Sequence, residues 1–279
     1  MTVSSEASTE SVILTPQASV AACLDQASGF QRTGNLVEAA ATLEKALATA
    51  RATPYEIEFQ TRIRLGMTLS DVFLALGRNQ DARTMLAAEV AFAERVSQIM
   101  QASGTPPQKR AATSGYLQIR DRATQIAMIG QQAPEISITW IKGGPVRLED
   151  LRGRVVLLEF WATWCKPCQE MFPKLKQLHE QAATRGLEII AITRHYMAYG
   201  GTAESQQEEL QLMNSTVTNH GVSFAVGVAE DETLQATYGA NGLPTAVLID
   251  RRGVVRYAGP GGEDPGFDSA LWQCLDESE

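Results

Sequence analysis

The chain has 279 residues, 44% of them hydrophobic and 20% charged, with a formal net charge of −8. At roughly 150 residues per domain, this length points to about two globular domains rather than a disordered or fibrous chain. No apolar run exceeds six residues, which excludes a membrane-spanning helix. The acidic balance argues against general nucleic-acid or anionic-membrane binding.

Residues 1–16 are rich in Ser, Thr and Glu and are read as a disordered N-terminal segment. They lack the basic and apolar regions of a signal peptide. The chain is therefore expected to be cytoplasmic as written, and periplasmic or otherwise extracytoplasmic only if an export signal is missing from it.

Residues 17–103 read as an all-α helical-hairpin domain. Apolar positions recur at three- and four-residue spacing, and breaks fall at Gly34-Asn35, Pro54 and Gly77, giving four helices in two hairpins. Phe30, Gly34, Ala39 and Leu43 recur 43 residues later as Phe73, Gly77, Ala82 and Leu86. A glycine at the turn and a small alanine five residues on let paired helices approach closely. The unit resembles tetratricopeptide (TPR) hairpins, whose repeat is about 34 residues. Two readings stand: a helical bundle packing on its neighbour, or a groove for a partner peptide.

Residues 104–129 read as a linker and one further helix. From Gly130 the period changes. Short β-rich runs at 155–160, 187–193, 222–228, 246–250 and 254–257 alternate with helical stretches near 168–184 and 203–218, which predicts an α/β domain over 130–279. The charge divides with the pattern. Residues 1–129 carry 12 basic and 12 acidic residues, whereas 130–279 carry 12 and 20.

Four cysteines are too few for a disulfide-built scaffold, but Cys165 and Cys168 stand three residues apart. The apolar run 155–160 leads into Trp164-Cys165 and then into a helical segment. Cys165 is thereby placed at a helix N-terminus, where unpaired N–H groups and the macrodipole favour a thiolate. Lys166 adds positive charge, and Pro167 suits the first helical turn. Cys168 is within reach of Cys165, so the pair can attack a disulfide and then resolve the mixed disulfide. Glu159 interrupts the apolar run. Burial is expected to raise its pKa and suit it to proton exchange with Cys168. The alternative is a glutamate reaching solvent from a strand end.

Gly130-Gln131-Gln132-Ala133-Pro134, the stretch Leu148 to Cys168, and Gly242-Leu243-Pro244-Thr245 with Leu248-Ile249-Asp250 and Gly253 together resemble the TlpA/ResA-type thioredoxin-fold proteins over residues 130–276. The resemblance implies a thioredoxin-like central mixed sheet with flanking helices, and thiol–disulfide oxidoreductase activity of the protein-disulfide reductase type. Carried over, Cys165 is the attacking and Cys168 the resolving cysteine of a redox-active disulfide, and Glu159 the buried acid. Pro173 is the proline of the active-site helix, and Pro244 the cis-proline that turns the Leu243 backbone toward an extended substrate. Trp164, Lys166, Pro167, Leu243 and Pro244 form the expected substrate surface, while Trp161 reads equally as core. The expected partners are a protein disulfide substrate and an electron-donor or acceptor thiol protein.

The segment 194–202, with His195, Tyr196, Tyr199 and two glycines, departs from the family pattern and reads either as a loop reaching the active site or as a surface insertion. No cofactor or metal is called for, since one CxxC pair supplies too few ligands. The peroxiredoxin pattern would place Thr and Pro where Ala162 and Leu158 stand, which counts against specialised peroxidase chemistry. The competing readings are a TPR-like binding module whose redox domain is secondary, and a thiol oxidant or peroxide-reactive redoxin. Cys23 and Cys274 read as inert bystanders.

Overall fold

A computed structural model describes residues 14–144, 146–197, 201–261 and 264–277. Most of the N-terminal segment read as disordered, and Ala198 to Gly200 of the 194–202 insertion, lie outside them. The chain divides into two compact units, 1–116 and 117–279. Among the described residues no helix is long and apolar enough to cross a membrane.

The first unit consists of α1 (Pro16–Arg32), α2 (Leu36–Ala52), α3 (Phe59–Ala75), α4 (Asn79–Ser103) and the start of α5 (Pro106–Met128). The 43-residue repeat is a structural one. Gly34 and Gly77 both have positive φ, 75° and 71°. After each, the next N–H donates back to a phenylalanine carbonyl, Asn35 to Phe30 at 2.9 Å and Arg78 to Phe73 at 2.8 Å. Gly34 N–H likewise bonds Gln31 O, and Gly77 N–H bonds Leu74 O. This is the Schellman arrangement, which needs a left-handed residue and so selects glycine. Ala39 and Ala82, and Leu43 and Leu86, are fully buried behind the two turns.

Of residues 104–129, read as a linker and one further helix, Pro106–Met128 are all helix. Pro106 begins α5, because a proline at the first helical position removes an N–H that would be unpaired anyway. The same physics hides α9 (Pro265–Asp276) in the sequence. Asp264 accepts from the N–H groups of Gly266 (2.8 Å) and Phe267 (3.2 Å), so Asp-Pro-Gly starts a helix rather than a turn.

The second unit is a mixed sheet of β1 (Ile138–Lys142), β2 (Val155–Phe160), β3 (Leu187–Arg194), β4 (Ala225–Ala229), β5 (Thr245–Ile249) and β6 (Val255–Gly259). Its strand order is β1–β4–β3–β2–β5–β6. Helices α6 (Lys166–Ala182), α7 (Ala203–Asn219) and α8 (Thr233–Tyr238) complete it with α9. Strand β2 is parallel to β3 and antiparallel to β5, and all six of its residues are buried. Side chains alternate as the pleat requires. Val155 and Leu157 join Phe172, Leu175, Phe267 and Leu271 on one face. Val156, Leu158 and Phe160 join Tyr238, Val247 and Ile249 on the other. By this alternation Glu159 belongs to the first face, the one under α6 and α9.

Candidate active site

The central strand delivers the cysteines. Past Phe160, Trp161 N–H extends the pairing to Ile192 O at 2.9 Å, and the chain turns so that Cys165 N–H bonds Ala162 O at 3.1 Å. Cys165 is the N-cap of α6, and its Sγ accepts the Cys168 N–H at 3.3 Å. The two sulfurs are joined in a disulfide with Cα atoms 5.3 Å apart. Gln169 ties the turn to its helix by donating to Thr163 O at 2.5 Å. One orphan N–H of the helix start thus already points at the Cys165 sulfur, the arrangement that stabilises a thiolate when the bond is reduced. Pro167 lies in the first turn and Pro173 inside α6. Lys166 projects into solvent and sits 3.7 Å from Glu170 one turn on, so part of its charge is answered there.

Glu159 is buried, and among the described residues neither carboxylate oxygen has a hydrogen-bond partner. Its register neighbours are alanines, Ala191 on β3 and Ala246 on β5, small enough to leave room for a carboxyl group. Burial alone pushes its pKa from 4.5 up to about 8. It lines a cavity of about 120 Å³ with Met171 and Leu175 of α6 and Asp268 and Trp272 of α9. Cys168, Met171 and Leu175 are spaced i, i+3, i+7, so Cys168 is on the helix face turned toward Glu159. The strand-end reading, with the carboxyl in solvent, does not hold.

The rim separates the two tryptophans. Trp161 is fully buried, edge-on to Phe172 with centroids 5.1 Å apart, whereas Trp164 is 60% exposed. Trp164 meets Tyr196 edge-on at 5.3 Å, so the 194–202 insertion does reach the site. Tyr196 is held in turn. Arg194 lies over its ring at 4.3 Å, and the Gln235 side-chain amide donates to its hydroxyl. The buried carboxylate of Glu209 accepts from the N–H groups of Tyr196 (2.9 Å) and Met197 (3.1 Å), and lies 3.2 Å from His195 Nδ1. Glu209 and Gln235 were not anticipated. Glu209 had a signal: it continues backward by fours the stripe of Met213 and Val217, as Glu159 interrupts its own strand.

Leu243 and Pro244 precede Thr245, which pairs with Phe160 at the strand end leading to Cys165. Their peptide bond is cis, and Leu243 packs against the core cluster that contains both cysteines. The remaining cysteines are free thiols. Cys23 is half-buried, and burial pushes the Cys274 thiol up to about 11.

Comparison with known proteins gives consistent matches over this unit. A family model described as "AhpC/TSA family" matches residues 129–258. The thiol-disulfide oxidoreductase ResA of Bacillus anthracis is 34% identical over 127 residues, 46% of this chain and 66% of that protein. The thioredoxin-like protein YneN of Bacillus subtilis is 30% identical over 127 residues, 46% of this chain and 68% of that protein. The match therefore spans slightly less than two thirds of the length of ResA. Among solved structures, a thiol:disulfide interchange protein of Chlorobium tepidum aligns with 25% identity and a TM-score of 0.42, covering 52% of this chain and 95% of that one.

Proposed function

We propose that the chain, which belongs to the thioredoxin-fold family of ResA-type thiol–disulfide oxidoreductases, reduces disulfide bonds in other proteins. The observation that carries this reading is the Cys165–Cys168 disulfide at the N-cap of α6, with an unpartnered buried carboxyl behind it. In the dithiol form, the Cys165 thiolate attacks one sulfur of the substrate disulfide. A mixed disulfide forms and the other substrate sulfur leaves as thiolate. Glu159 takes the proton of Cys168, and the Cys168 thiolate then attacks Cys165 Sγ. This closes the enzyme disulfide and releases the second substrate sulfur. Two electrons pass from enzyme to substrate, and a donor dithiol protein must return them. Trp164, Lys166, Pro167 and the Leu243–Pro244 backbone form the surface on which the substrate segment lies.

The test is reduction of insulin disulfides by the full chain. Wild type is expected to turn over, Cys165→Ser to be inactive, and Cys168→Ser to accumulate the mixed disulfide. A wild-type rate no faster than either variant overturns the reading. A couple as oxidising as about −120 mV would favour the alternative, a thiol oxidant.

A second reading concerns the helical unit, proposed as a binding domain over 17–103. A groove of about 520 Å³ is lined by Leu47, Leu69, Phe73 and Met85, with Arg51 and Arg78 at its rim. This mixture of apolar floor and charged edge suits a partner peptide. Ala48, which is exposed in the groove, tests it: Ala48→Trp should weaken calorimetric binding of a substrate protein. Unchanged affinity removes the groove from the function.

A further inference from the structure

Helix α5 ends at Met128, just before the family match begins at residue 129. Its last turns nevertheless hold the loop that leads into β5. Asp121 is 6% exposed. Its Oδ2 accepts the backbone N–H groups of Asn241 (3.0 Å) and Gly242 (3.3 Å), and its Oδ1 accepts the Asn241 side-chain amide at 2.9 Å. One turn on, the Gln125 amide donates to Gly239 O at 2.7 Å. Arg122 donates to Ala258 O in β6 at 3.3 Å. Gly239 has φ +61°, and a Cβ there would stand 2.5 Å from the Asp121 carbonyl oxygen, so loop and helix backbones touch. The loop lacks regular structure of its own. Two successive N–H groups that no strand pairs end on one carboxylate, and such charge-assisted bonds are the stronger kind.

The next residues are Leu243, which packs against the core cluster containing both cysteines, and Pro244, joined to it by a cis bond. We propose that Asp121 is a positioning residue: it fixes the backbone at 241–244 in the form that accepts an extended substrate segment. It does not touch the substrate itself. A preformed loop spares the bound complex the ordering cost that a loose one would carry. The consequence should therefore fall on substrates that use the loop, and not on the sulfur chemistry. The inference rests on the disulfide-reductase reading above.

The experiment compares wild type, Asp121→Ala and Asp121→Asn, as full chains, on insulin and on the small aromatic disulfide of Ellman's reagent. For insulin we expect KM to rise about tenfold in Asp121→Ala and at least threefold in Asp121→Asn, with kcat within twofold of wild type. Reduction of the small disulfide should stay within twofold. Asp121→Asn keeps the side-chain volume and one acceptor oxygen, so it serves where the alanine variant fails to fold. Unchanged insulin KM in a folded variant overturns the inference, as does an equal loss on both substrates. Failure of the function itself has a different signature, no wild-type turnover of either disulfide. In that case amide exchange at Asn241, Gly242 and Leu243 still decides. Exchange at least tenfold faster in Asp121→Asn, against unchanged exchange in β2, supports the clamp, and equal protection overturns it.

Discussion

An ionised carboxylate without partners inside a sheet is expensive, and the chain answers that cost by keeping Glu159 protonated at neutral pH. In the proposed mechanism the group can therefore take a proton from Cys168 only above about pH 8. Single-turnover release of the mixed disulfide should therefore accelerate as pH rises through that value. In Glu159→Gln, release should slow about 100-fold or more, the usual scale of lost general-base catalysis, while formation of the mixed disulfide changes little. Stopped-flow measurement of the two steps checks this, and equal slowing of both removes Glu159 from the mechanism. Glu159 was legible in the sequence because a charged residue inside an apolar run is a local anomaly. Glu209 carries the same kind of mark, a charge on the buried stripe of α7, whereas what marks Asp121 is a pair of backbone N–H groups brought to it by another segment.

At the scale of elements, two devices set the geometry. The first is the pair of glycine turns in the helical unit, whose left-handed backbone costs about 1 kcal/mol or more for any residue with a Cβ. Gly34→Ala and Gly77→Ala should each lower stability by about that amount in denaturant unfolding followed by circular dichroism, with insulin turnover unchanged. Both turns were legible, since Gly after an amphipathic stretch is a strong stop signal. The second device is the loop–helix pair in which Glu209 of α7 anchors residues 195–197 beneath Trp164. Tyr196→Ala should leave Trp164 unsupported and raise KM for insulin about threefold, with reduction of a small disulfide unaltered; an unchanged KM shows the insertion to be a bystander. Strand β1 and helix α8 were missed, for a physical reason. They are five and six residues long, too short for a period to emerge, and β1 is only half-buried.

For the whole molecule, Glu159 couples stability to pH. Its carboxyl titrates near 8 when folded and near 4.5 when exposed, so across that window the folded state binds the extra proton. Stability must then fall as pH rises, by on the order of 5 kcal/mol over the window, and level off above it. Urea unfolding of the disulfide form at pH 5 and pH 9 should show that loss in wild type and little of it in Glu159→Gln. A parallel pH dependence in both would place the titration elsewhere. By itself the sequence determined what is local or periodic: a helical half followed by an α/β half, the glycine turns, the cysteine pair at a helix start, and the carboxyl in the strand. Tertiary structure alone decided which distant groups meet. It buried Trp161 and exposed Trp164, brought Tyr196 to the rim, and set Asp121 against the loop before Pro244. Spacing along a chain controls neighbours within an element, whereas contacts between elements follow from packing two faces of one sheet, and no short window of sequence contains that information.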